Sequence, residues 1–170
     1  MINTTRLAII PLNHGQLIKY LENDFSLETE LCLELNERVI APELREALAT
    51  GILPDVTASP EDYLFYTLWT VIHRSSRIMI GDICFMGPPD RNGEIELGYG
   101  THPAFRGQGY MSEAVGGLVA WASAQSGVKI ISAGTDKDNP ASQGVLRNNG
   151  FQCCGMKGSQ IRWQLVLEKI

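Results

Sequence analysis

Two glycines stand immediately before a run of helix-forming residues, and this pattern restricts the possible folds more than any other feature of the chain. The run is Arg106-Gly107-Gln108-Gly109-Tyr110-Met111, followed by Ser112-Glu113-Ala114-Val115. Glycine adopts backbone conformations that other residues disfavour, and the N-terminus of a helix presents unpaired N–H groups at the positive end of the helix dipole. The pattern therefore predicts a phosphate-binding loop that leads into a helix.

Two nucleotide-binding motifs do not fit this loop. The Walker motif requires Lys followed by Ser or Thr after its second glycine, whereas Tyr110 and Met111 follow Gly109. The dinucleotide motif G-x-G-x-x-G is also absent. The remaining alternative is a tight turn that binds no ligand, and the flanking segments are needed to decide.

The flanking segments form an ordered series of short elements. Residues 94–99 alternate polar and apolar side chains after the turn Asn92-Gly93, which predicts a strand that runs into the loop. Residues 129–134 predict a buried strand after the central helix. Asn139-Pro140-Ala141-Ser142 predicts the start of a short helix that ends at Asn149-Gly150. The predicted order is strand, loop, helix, strand and helix.

These segments resemble the GNAT superfamily of acetyl-CoA-dependent N-acetyltransferases, and most closely its branch of ribosomal-protein alanine acetyltransferases. By motif the resemblance extends from about Trp69 to Phe151. It implies an α/β (α+β) fold with a mixed, largely antiparallel seven-stranded sheet flanked by helices on both faces, in a single domain over residues 1–170. The matching stretches are Glu96-Leu97-Gly98-Tyr99, His102 to Tyr110, Ser112-Glu113-Ala114 and Asn139 to Phe151.

The resemblance also implies acetyl-CoA as co-substrate and no metal. The pantetheine arm is expected to pair with the backbone at the strand end, and the diphosphate is expected to meet the N–H groups of the glycine loop. Met111 replaces the small residue that is usual in the family. The implied cofactor-binding residues are Tyr99, Gly100, Thr101, Arg106, Gly107, Gln108, Gly109, Tyr110, Met111, Asn139 and Ser142.

Glu96 is the first candidate for a general base. It occupies the acidic position of the family on the strand before the loop, from which it can take the proton of an amine directly or through water. The alternative is a solvated carboxylate paired with Arg or Lys. Glu94 lies on the same face of the strand and is a weaker candidate. His102 precedes Pro103, and we expect its ring to bond to the backbone of a loop rather than to act as a base.

Ser142 is the candidate partner for the sulfur of the departing thiolate. The resembling branch carries a Ser at this position, three residues after Asn139, whereas many other members carry a Tyr at the position of Leu146. A thiol with a pKa of ~8.5 leaves without a strong acid, so the missing Tyr does not exclude turnover. Asn139 is expected to bind pantetheine, to cap its helix, or both.

The implied activity is transfer of the acetyl group from acetyl-CoA to a primary amine by direct attack in a ternary complex. The acceptor is either a protein N-terminus or a small molecule. The alternative is a non-catalytic module of the same fold that binds CoA or acetyl-CoA, which Leu146 and Met111 suggest.

The composition of this 170-residue chain argues against some classes of binding partner. A net charge of −5 offers no basic stripe for nucleic acid, and no segment approaches the ~20 apolar residues of a membrane helix. The N-terminus lacks a secretory signal, so we expect a cytoplasmic protein, with neither nucleic acid nor membrane as a partner and with a homodimer possible. The four cysteines show no metal-binding spacing.

Hydrophobic periodicity predicts the elements outside the loop. The segment 27–53 reads as helical, with Leu31, Leu35 and Val39 on one face and a restart at Pro42. The other predictions are a strand over 5–12, a helix capped by Asn13 that buries Leu17, Ile18 and Leu21, strands over 68–72 and 77–85, a central helix over 110–126, and a hairpin over 151–156 and 160–168.

Overall fold

A mixed sheet of eight strands forms the centre of the molecule, which a computed structural model describes for residues 1–167. The strands are β1 (Ile2–Asn3), β2 (Leu7–Pro11), β3 (Leu68–His73), β4 (Ile78–Phe85), β5 (Glu94–Thr101), β6 (Ile130–Asp136), β7 (Gln152–Lys157) and β8 (Gln160–Val166). Their spatial order is β1-β2-β3-β4-β5-β6-β8-β7. Neighbouring strands are antiparallel except β5 and β6, which are parallel.

Helices lie on both faces of this sheet. They are α1 (His14–Glu22), α2 (Ser26–Glu30), α3 (Pro42–Ala47), α4 (Leu53–Ala58), α5 (Tyr63–Tyr66), α6 (Tyr110–Ser123) and α7 (Pro140–Asn148). A π-helical turn, Leu48–Ile52, joins α3 to α4, and short 3₁₀ turns cover Pro60–Asp62 and Pro103–Phe105. The predicted fold class is confirmed: a mixed, largely antiparallel sheet with helices on both faces.

The sheet has one strand more than predicted. The additional strand, β1, pairs with β2 through only two residues, with Ile2 opposite Ile9 and Asn3 opposite Ala8. Two residues are too few to show the polar and apolar alternation by which strands are recognised in a sequence. The seven predicted strands all form within the described residues.

Apolar side chains from alternate positions of the strands cover both faces of the sheet. On one face Leu118 of α6 and Leu146 of α7 are completely buried against the sheet. On the other face Leu17 of α1 and Leu48 of the π-helical turn are equally buried. The sheet therefore separates two cores, one under α6 and α7 and one under α1 to α4.

A gap opens between β5 and β6, at the centre of the sheet. Their parallel pairing ends with Leu97 opposite Ala133, whereas β5 continues to pair with β4 as far as Thr101. Met86 N–H donates to the Glu96 carbonyl, and His102 N–H donates to the Ile80 carbonyl. The even-numbered residues of β5 therefore bond to β4. Because antiparallel pairing alternates, the odd-numbered residues 99 and 101 direct their N–H and C=O groups into the gap.

The helical prediction for residues 27–53 is wrong over residues 31–40. Helix α2 ends at Glu30, and Cys32 has a φ of +55°, which a right-handed helix does not contain. A buried ion pair of 2.8 Å between Arg38 and Glu28 folds the segment back on α2, and Glu34 N–H donates to the Arg77 carbonyl. Long-range bonds thus replace the helix. Val39, predicted to share an apolar face, is 84% exposed, and Leu35 is also exposed.

Local signals placed most other boundaries within a few residues. The Asn13 cap forms as predicted, with Gln16 completing a capping box. Helix α6 ends at Ser123 instead of 126, and Ile18 of α1 is exposed rather than buried, while Tyr20 is buried in its place. Strand β8 ends at Val166, and the predicted end at residue 168 lies outside the described residues.

Candidate active site

Two cavities meet at the end of β5. One, which we call the α6–α7 cavity, has a volume of about 570 Å³ and lies between the glycine loop, the N-terminus of α6 and the first turn of α7. Ten of the eleven cofactor-binding residues predicted above line it. The exception is Gln108, whose carbonyl accepts a hydrogen bond from Arg6. The ten are Tyr99, Gly100, Thr101, Arg106, Gly107, Gly109, Tyr110, Met111, Asn139 and Ser142.

The glycine loop has the backbone conformation that makes glycine necessary. Gly107 and Gly109 have φ values of +72° and +76°, in the left-handed region that side chains disfavour. The first hydrogen bond within α6 runs from Glu113 N–H to the Gly109 carbonyl. The N–H groups of the preceding helical residues, Tyr110 to Ser112, have no acceptor inside the helix and lie at its positive end, beside the cavity.

Arg6, in the segment before β2, links the glycine loop to the N-terminal part of the chain through side-chain hydrogen bonds and an ion pair. Its Nη1 donates to the Gln108 carbonyl at 3.0 Å, and its Nε pairs with Glu113 at 2.7 Å. The guanidinium also lies 4.5 Å from the ring centre of Tyr110. Thr4 donates a further hydrogen bond of 2.6 Å to Glu113. No local pattern in the sequence indicates this role for Arg6, because its partners lie about a hundred residues away.

Glu113→Gln is expected to weaken this attachment and to remove part of the acid sensitivity of the fold. Burial raises the pKa of Glu113, but hydrogen bonds from Thr4 and Arg6 outweigh burial and hold the pKa below its ordinary value. A lowered pKa means stability that is present above the unfolded pKa, ~4.3, and is lost as the pH falls through the folded pKa. We expect the variant to lose about 1 kcal/mol at pH 7.

The measurement is Tm between pH 3 and pH 7 for the wild-type and variant proteins. The difference between the two Tm values should shrink as the pH falls below ~4. A constant difference across this range would show that the Glu113 carboxylate contributes no pH-dependent stability.

Met111 does not obstruct the loop. Its side chain is buried in the core, and its terminal methyl lies 3.0 Å from the position that a Cβ on Gly81 would occupy. Gly81 thus provides the room that Met111 needs. Met111 lines the α6–α7 cavity as the second residue of α6, and its backbone N–H is one of those without an acceptor inside the helix, so the larger side chain does not remove a donor from the N-terminus of α6.

Helix α7 closes the open side of the gap beside β5. The Tyr99 hydroxyl donates to the Ser142 carbonyl at 2.9 Å, and burial raises the pKa of Tyr99, so it remains a neutral phenol. The Asn139 side chain accepts from Ser142 N–H at 3.1 Å, which is the capping role expected for it. Leu146 is completely buried under α7, and no tyrosine hydroxyl comes from this position.

The second cavity, which we call the α3–α4 cavity, lies on the opposite face of the sheet. Its volume is about 720 Å³, and residues of α3, the π-helical turn and α4 form one wall. It shares Tyr99, Gly100, Thr101 and Arg106 with the α6–α7 cavity. The two cavities therefore meet at the residues that border the gap beside β5. This junction is where a ligand from one face can approach a ligand from the other.

Asp82 of β4 lies beside this junction with two side-chain partners. The Tyr20 hydroxyl donates to Asp82 Oδ2 at 2.6 Å, and His102 Nε2 lies 3.3 Å from the same oxygen. The other ring nitrogen of His102 faces the Met79 carbonyl at 3.2 Å. His102 thus contacts backbone as expected, but it also contacts a buried carboxylate that sequence reasoning did not identify.

Glu96 lies away from this junction. It lines a third cavity, between β5 and the β7–β8 hairpin, together with Ser132 and Arg162. Four residues of extended strand separate it from Gly100, which corresponds to ~13 Å. Within residues 1–167 its side chain forms no hydrogen bond or ion pair. Glu94 instead pairs with Arg162, so its carboxylate is occupied.

The described part of the chain contains no group of His, Cys, Asp or Glu side chains placed to hold a metal ion. Over the same residues the cysteines are free thiols, with Cys84 buried and Cys32, Cys153 and Cys154 exposed. None of the helices in residues 1–167 combines the length and apolar character that crossing a membrane requires.

Comparison with known proteins agrees with this geometry. The family described as Acetyltransferase (GNAT) domain matches residues 36–152, which is more than half of the chain. A relative from Bacillus subtilis (strain 168), the uncharacterized N-acetyltransferase YjdG, is 36% identical over 83 residues. That match covers 49% of the chain and 49% of the relative, so the chain matches about half the length of this curated protein.

Solved structures share the fold over nearly the whole chain. One is RimL, a ribosomal L7/L12 alpha-N-protein acetyltransferase in complex with coenzyme A, with a TM-score of 0.68 at 19% identity over 96% of both chains. Another is the ribosomal-protein-S5-alanine acetyltransferase from Vibrio fischeri, with a TM-score of 0.70 at 14% identity. It covers 98% of this chain and 96% of that one. At these identities the similarity establishes the fold.

Proposed function

The chain belongs to the GNAT acetyltransferase family, and on that premise we propose that it transfers the acetyl group of acetyl-CoA to a primary amine in a ternary complex. The observation that carries the proposal is the meeting of two cavities at Tyr99, Gly100 and Thr101. Acetyl-CoA enters from the α6–α7 side and the amine from the α3–α4 side. Neither reactant has to leave before the other binds.

The α6–α7 cavity offers a separate group to each part of CoA. The diphosphate binds to N–H groups of the loop and of the first turn of α6, with the Arg106 guanidinium beside it. Arg106 is already oriented, because its Nε donates to the Thr101 carbonyl at 3.1 Å. The pantetheine amides pair with the backbone groups that Tyr99 and Thr101 direct into the gap, as an added strand would, except that the Thr101 carbonyl already accepts a hydrogen bond from Arg106.

The reaction then requires one bond to form and one to break. The nitrogen lone pair of the amine attacks the thioester carbonyl carbon, the C–N bond forms, and collapse of the tetrahedral intermediate breaks the C–S bond. An ammonium loses one proton before attack, to the base or to solvent, and the nitrogen loses a second proton as the amide forms, while the CoA thiolate gains one. Ser142, in the first turn of α7, is the proposed hydrogen-bond partner of the sulfur. Alignment of the two reactants at the junction supplies much of the rate.

We propose that Glu96 receives the proton from the amine through water. Its carboxylate forms no hydrogen bond or ion pair among residues 1–167, although its charge acts on Arg162, and it lies too far along β5 for direct contact at Gly100. Glu96→Gln should lower kcat by roughly 100-fold near neutral pH, and the deficit should decrease at high pH, where solvent deprotonates the amine. Affinity for CoA should not change.

The matched control is Glu94→Gln, on the same face of the same strand, where the carboxylate pairs with Arg162. It should retain kcat within a few-fold of wild type. The measurement is the pH dependence of kcat for both variants between pH 6 and pH 9. Superimposable profiles for Glu96→Gln and the wild type would remove Glu96 from the mechanism.

The proposed function is tested by thiol release from acetyl-CoA in the presence of primary amines and peptides with free N-termini. Release that depends on the amine, together with an N-acetylated product identified by mass spectrometry, is the expected result. The buried Leu146, which supplies no acid to the thiolate, favours a second candidate, a module that binds CoA without turnover. Tight CoA binding without release across the whole panel would establish that candidate instead.

A further inference from the structure

Asp82 is a buried carboxylate with an incomplete set of hydrogen bonds. The residue is 5% exposed, and its Oδ2 receives the Tyr20 hydroxyl and faces His102. Its Oδ1 has no hydrogen-bond partner among residues 1–167. An unpaired oxygen on a buried carboxylate is costly unless a ligand supplies the missing donor. Asp82 lines the α3–α4 cavity, so a ligand in that cavity lies next to this carboxylate.

Among residues 1–167, no Lys or Arg side chain forms an ion pair with the Asp82 carboxylate, whose one ion-pair contact is His102. Burial first, and the Asp82 charge second, raise the pKa of Tyr20, and the same two causes raise the pKa of Cys84 to about 12. Both groups therefore stay neutral. The Arg38 guanidinium lies 4.5 Å from the ring centre of Tyr20 and opposes the rise of the Tyr20 pKa, but its Nε is paired with Glu28 and it forms no ion pair with Asp82.

The wall of the cavity is also more negative than positive. Glu43 of α3 and Asp55 of α4 line it, and together with Asp82 they contribute three carboxylates. Among the described residues that line it, the one guanidinium is that of Arg106, which also borders the α6–α7 cavity and bonds to the Thr101 carbonyl. The charge of the wall therefore favours a cation as the occupant.

Asp82 is placed next to the junction of the two cavities. It lies directly opposite Gly100 in the antiparallel pairing of β4 and β5, so both residues face the same side of the sheet. A Cβ built on Gly100 would meet no heavy atom within 4 Å. The space over Gly100 is therefore open, and a group bound to Asp82 lies beside the residues that border both cavities.

We propose that Asp82, oriented by Tyr20 and His102, binds the ammonium group of the acceptor, and that the acceptor is a small primary amine with an apolar body. The inference rests on the proposed function, of which it names the substrate class. Apolar side chains form much of the remaining wall, among them Leu44, Ile52, Tyr66, Leu68 and Phe85. Its volume of about 720 Å³ is in the range of small-molecule sites.

The test compares a cationic with a neutral amine in the wild-type protein and in Asp82→Asn. The probes are 2-phenylethylamine, an ammonium at pH 7, and aniline, which is neutral at that pH. Asp82→Asn should raise the KM for 2-phenylethylamine by about 10-fold to 100-fold, because a charge-assisted hydrogen bond is lost. The KM for aniline and the Kd for CoA should change less than about 3-fold, because neither contact involves that charge.

Glu43→Gln is the matched control, since it neutralises another carboxylate that lines the same cavity, and Glu43 is exposed whereas Asp82 is buried. Its effect on the KM for 2-phenylethylamine should be several-fold smaller than that of Asp82→Asn. Equal effects of the two variants would assign recognition to the general charge of the cavity and overturn the role of Asp82. An equal rise for aniline and 2-phenylethylamine would overturn it as well.

A binding measurement separates this inference from the proposed function. Calorimetry with 2-phenylethylamine on the CoA-bound protein requires no turnover. The wild-type protein could bind the amine without transferring any acetyl group, and Asp82→Asn could abolish that binding. This result would support the inference and contradict the proposed function. Turnover with an unchanged KM in Asp82→Asn would overturn the inference alone. A peptide N-terminus used with a KM far below that of every small amine would overturn the substrate class.

Should Asp82→Asn fail to fold, Tyr20→Phe provides the same test. It removes the hydroxyl that orients Asp82 and leaves the aromatic ring in the core. The KM for 2-phenylethylamine should rise several-fold while the KM for aniline stays unchanged. An equal effect on both amines would overturn the proposal.

Discussion

Gly109→Asp should lower the affinity of the protein for CoA by about 100-fold, because it adds a negative charge where the diphosphate is proposed to bind. Gly109 is the last residue before α6 and has a φ of +76°. A Cβ at this position would have space, since its nearest neighbour is a side-chain nitrogen of Arg6 at 3.6 Å. The expected loss is therefore electrostatic in origin, with a smaller contribution from backbone strain.

Gly109→Asn isolates the charge from the strain. Asn has nearly the same shape as Asp and tolerates the left-handed conformation similarly. We expect this variant to bind CoA within about 10-fold of wild type. Calorimetric titration with CoA gives both affinities directly. Gly158→Asp supplies a second control, because it carries the same kind of strain, with a φ of +60°, in the turn between β7 and β8.

Equal affinities for CoA in Gly109→Asp and the wild type would contradict the proposed site. Equal losses in Gly109→Asp and Gly109→Asn would show that backbone conformation, rather than charge, controls binding at the loop. Either result would require the diphosphate to bind elsewhere or in another manner.

Gly81→Ala should destabilise the fold and weaken CoA binding together. A Cβ on Gly81 would lie 2.5 Å from the Gly100 carbonyl oxygen and 3.0 Å from the terminal methyl of Met111. The first contact is with backbone, so no rotation of a side chain relieves it. Strands β4 and β5 have to move apart, at a cost of about 1–3 kcal/mol. For a chain of this size the corresponding decrease in Tm is roughly 3–10 °C.

The loss of CoA affinity follows from the same displacement. Gly81 is paired with Thr101, and Gly100 and Thr101 line both cavities. Thermal denaturation and CoA titration of the same variant test both effects. Gly155→Ala in β7 is the control, because a Cβ there would meet no atom within 4 Å. A Gly81→Ala protein with wild-type Tm would show that the strands accommodate the extra methyl group.

Local patterns in the sequence predicted the elements whose conformation depends on near neighbours. The capping box of Asn13 and Gln16 involves residues three positions apart. Glycine itself accommodates the positive φ values at positions 107 and 109. The Asn139 cap involves only Ser142, three residues further along the chain. These interactions do not require the rest of the fold, so residue type and spacing were enough to recognise them.

Local patterns gave a wrong prediction for the segment 31–40. Its apolar spacing is typical of a helix, yet the buried pair of Arg38 and Glu28 and the bond from Glu34 to the Arg77 carbonyl determine its path. The bond to Arg77 depends on tertiary contacts between distant segments, which override helix propensity. Helical periodicity therefore gave the wrong conformation there.

The sequence by itself determined the family, the sheet with its helices, and the glycine loop that is proposed to bind the diphosphate. Only the tertiary structure decided what surrounds the junction of the two cavities. Asp82 and Tyr20 are 62 positions apart, and Arg6 and Glu113 are 107 positions apart. Hydrogen bonds over such separations have no signature in local spacing, because they form only when packing of the sheet and helices brings the partners together.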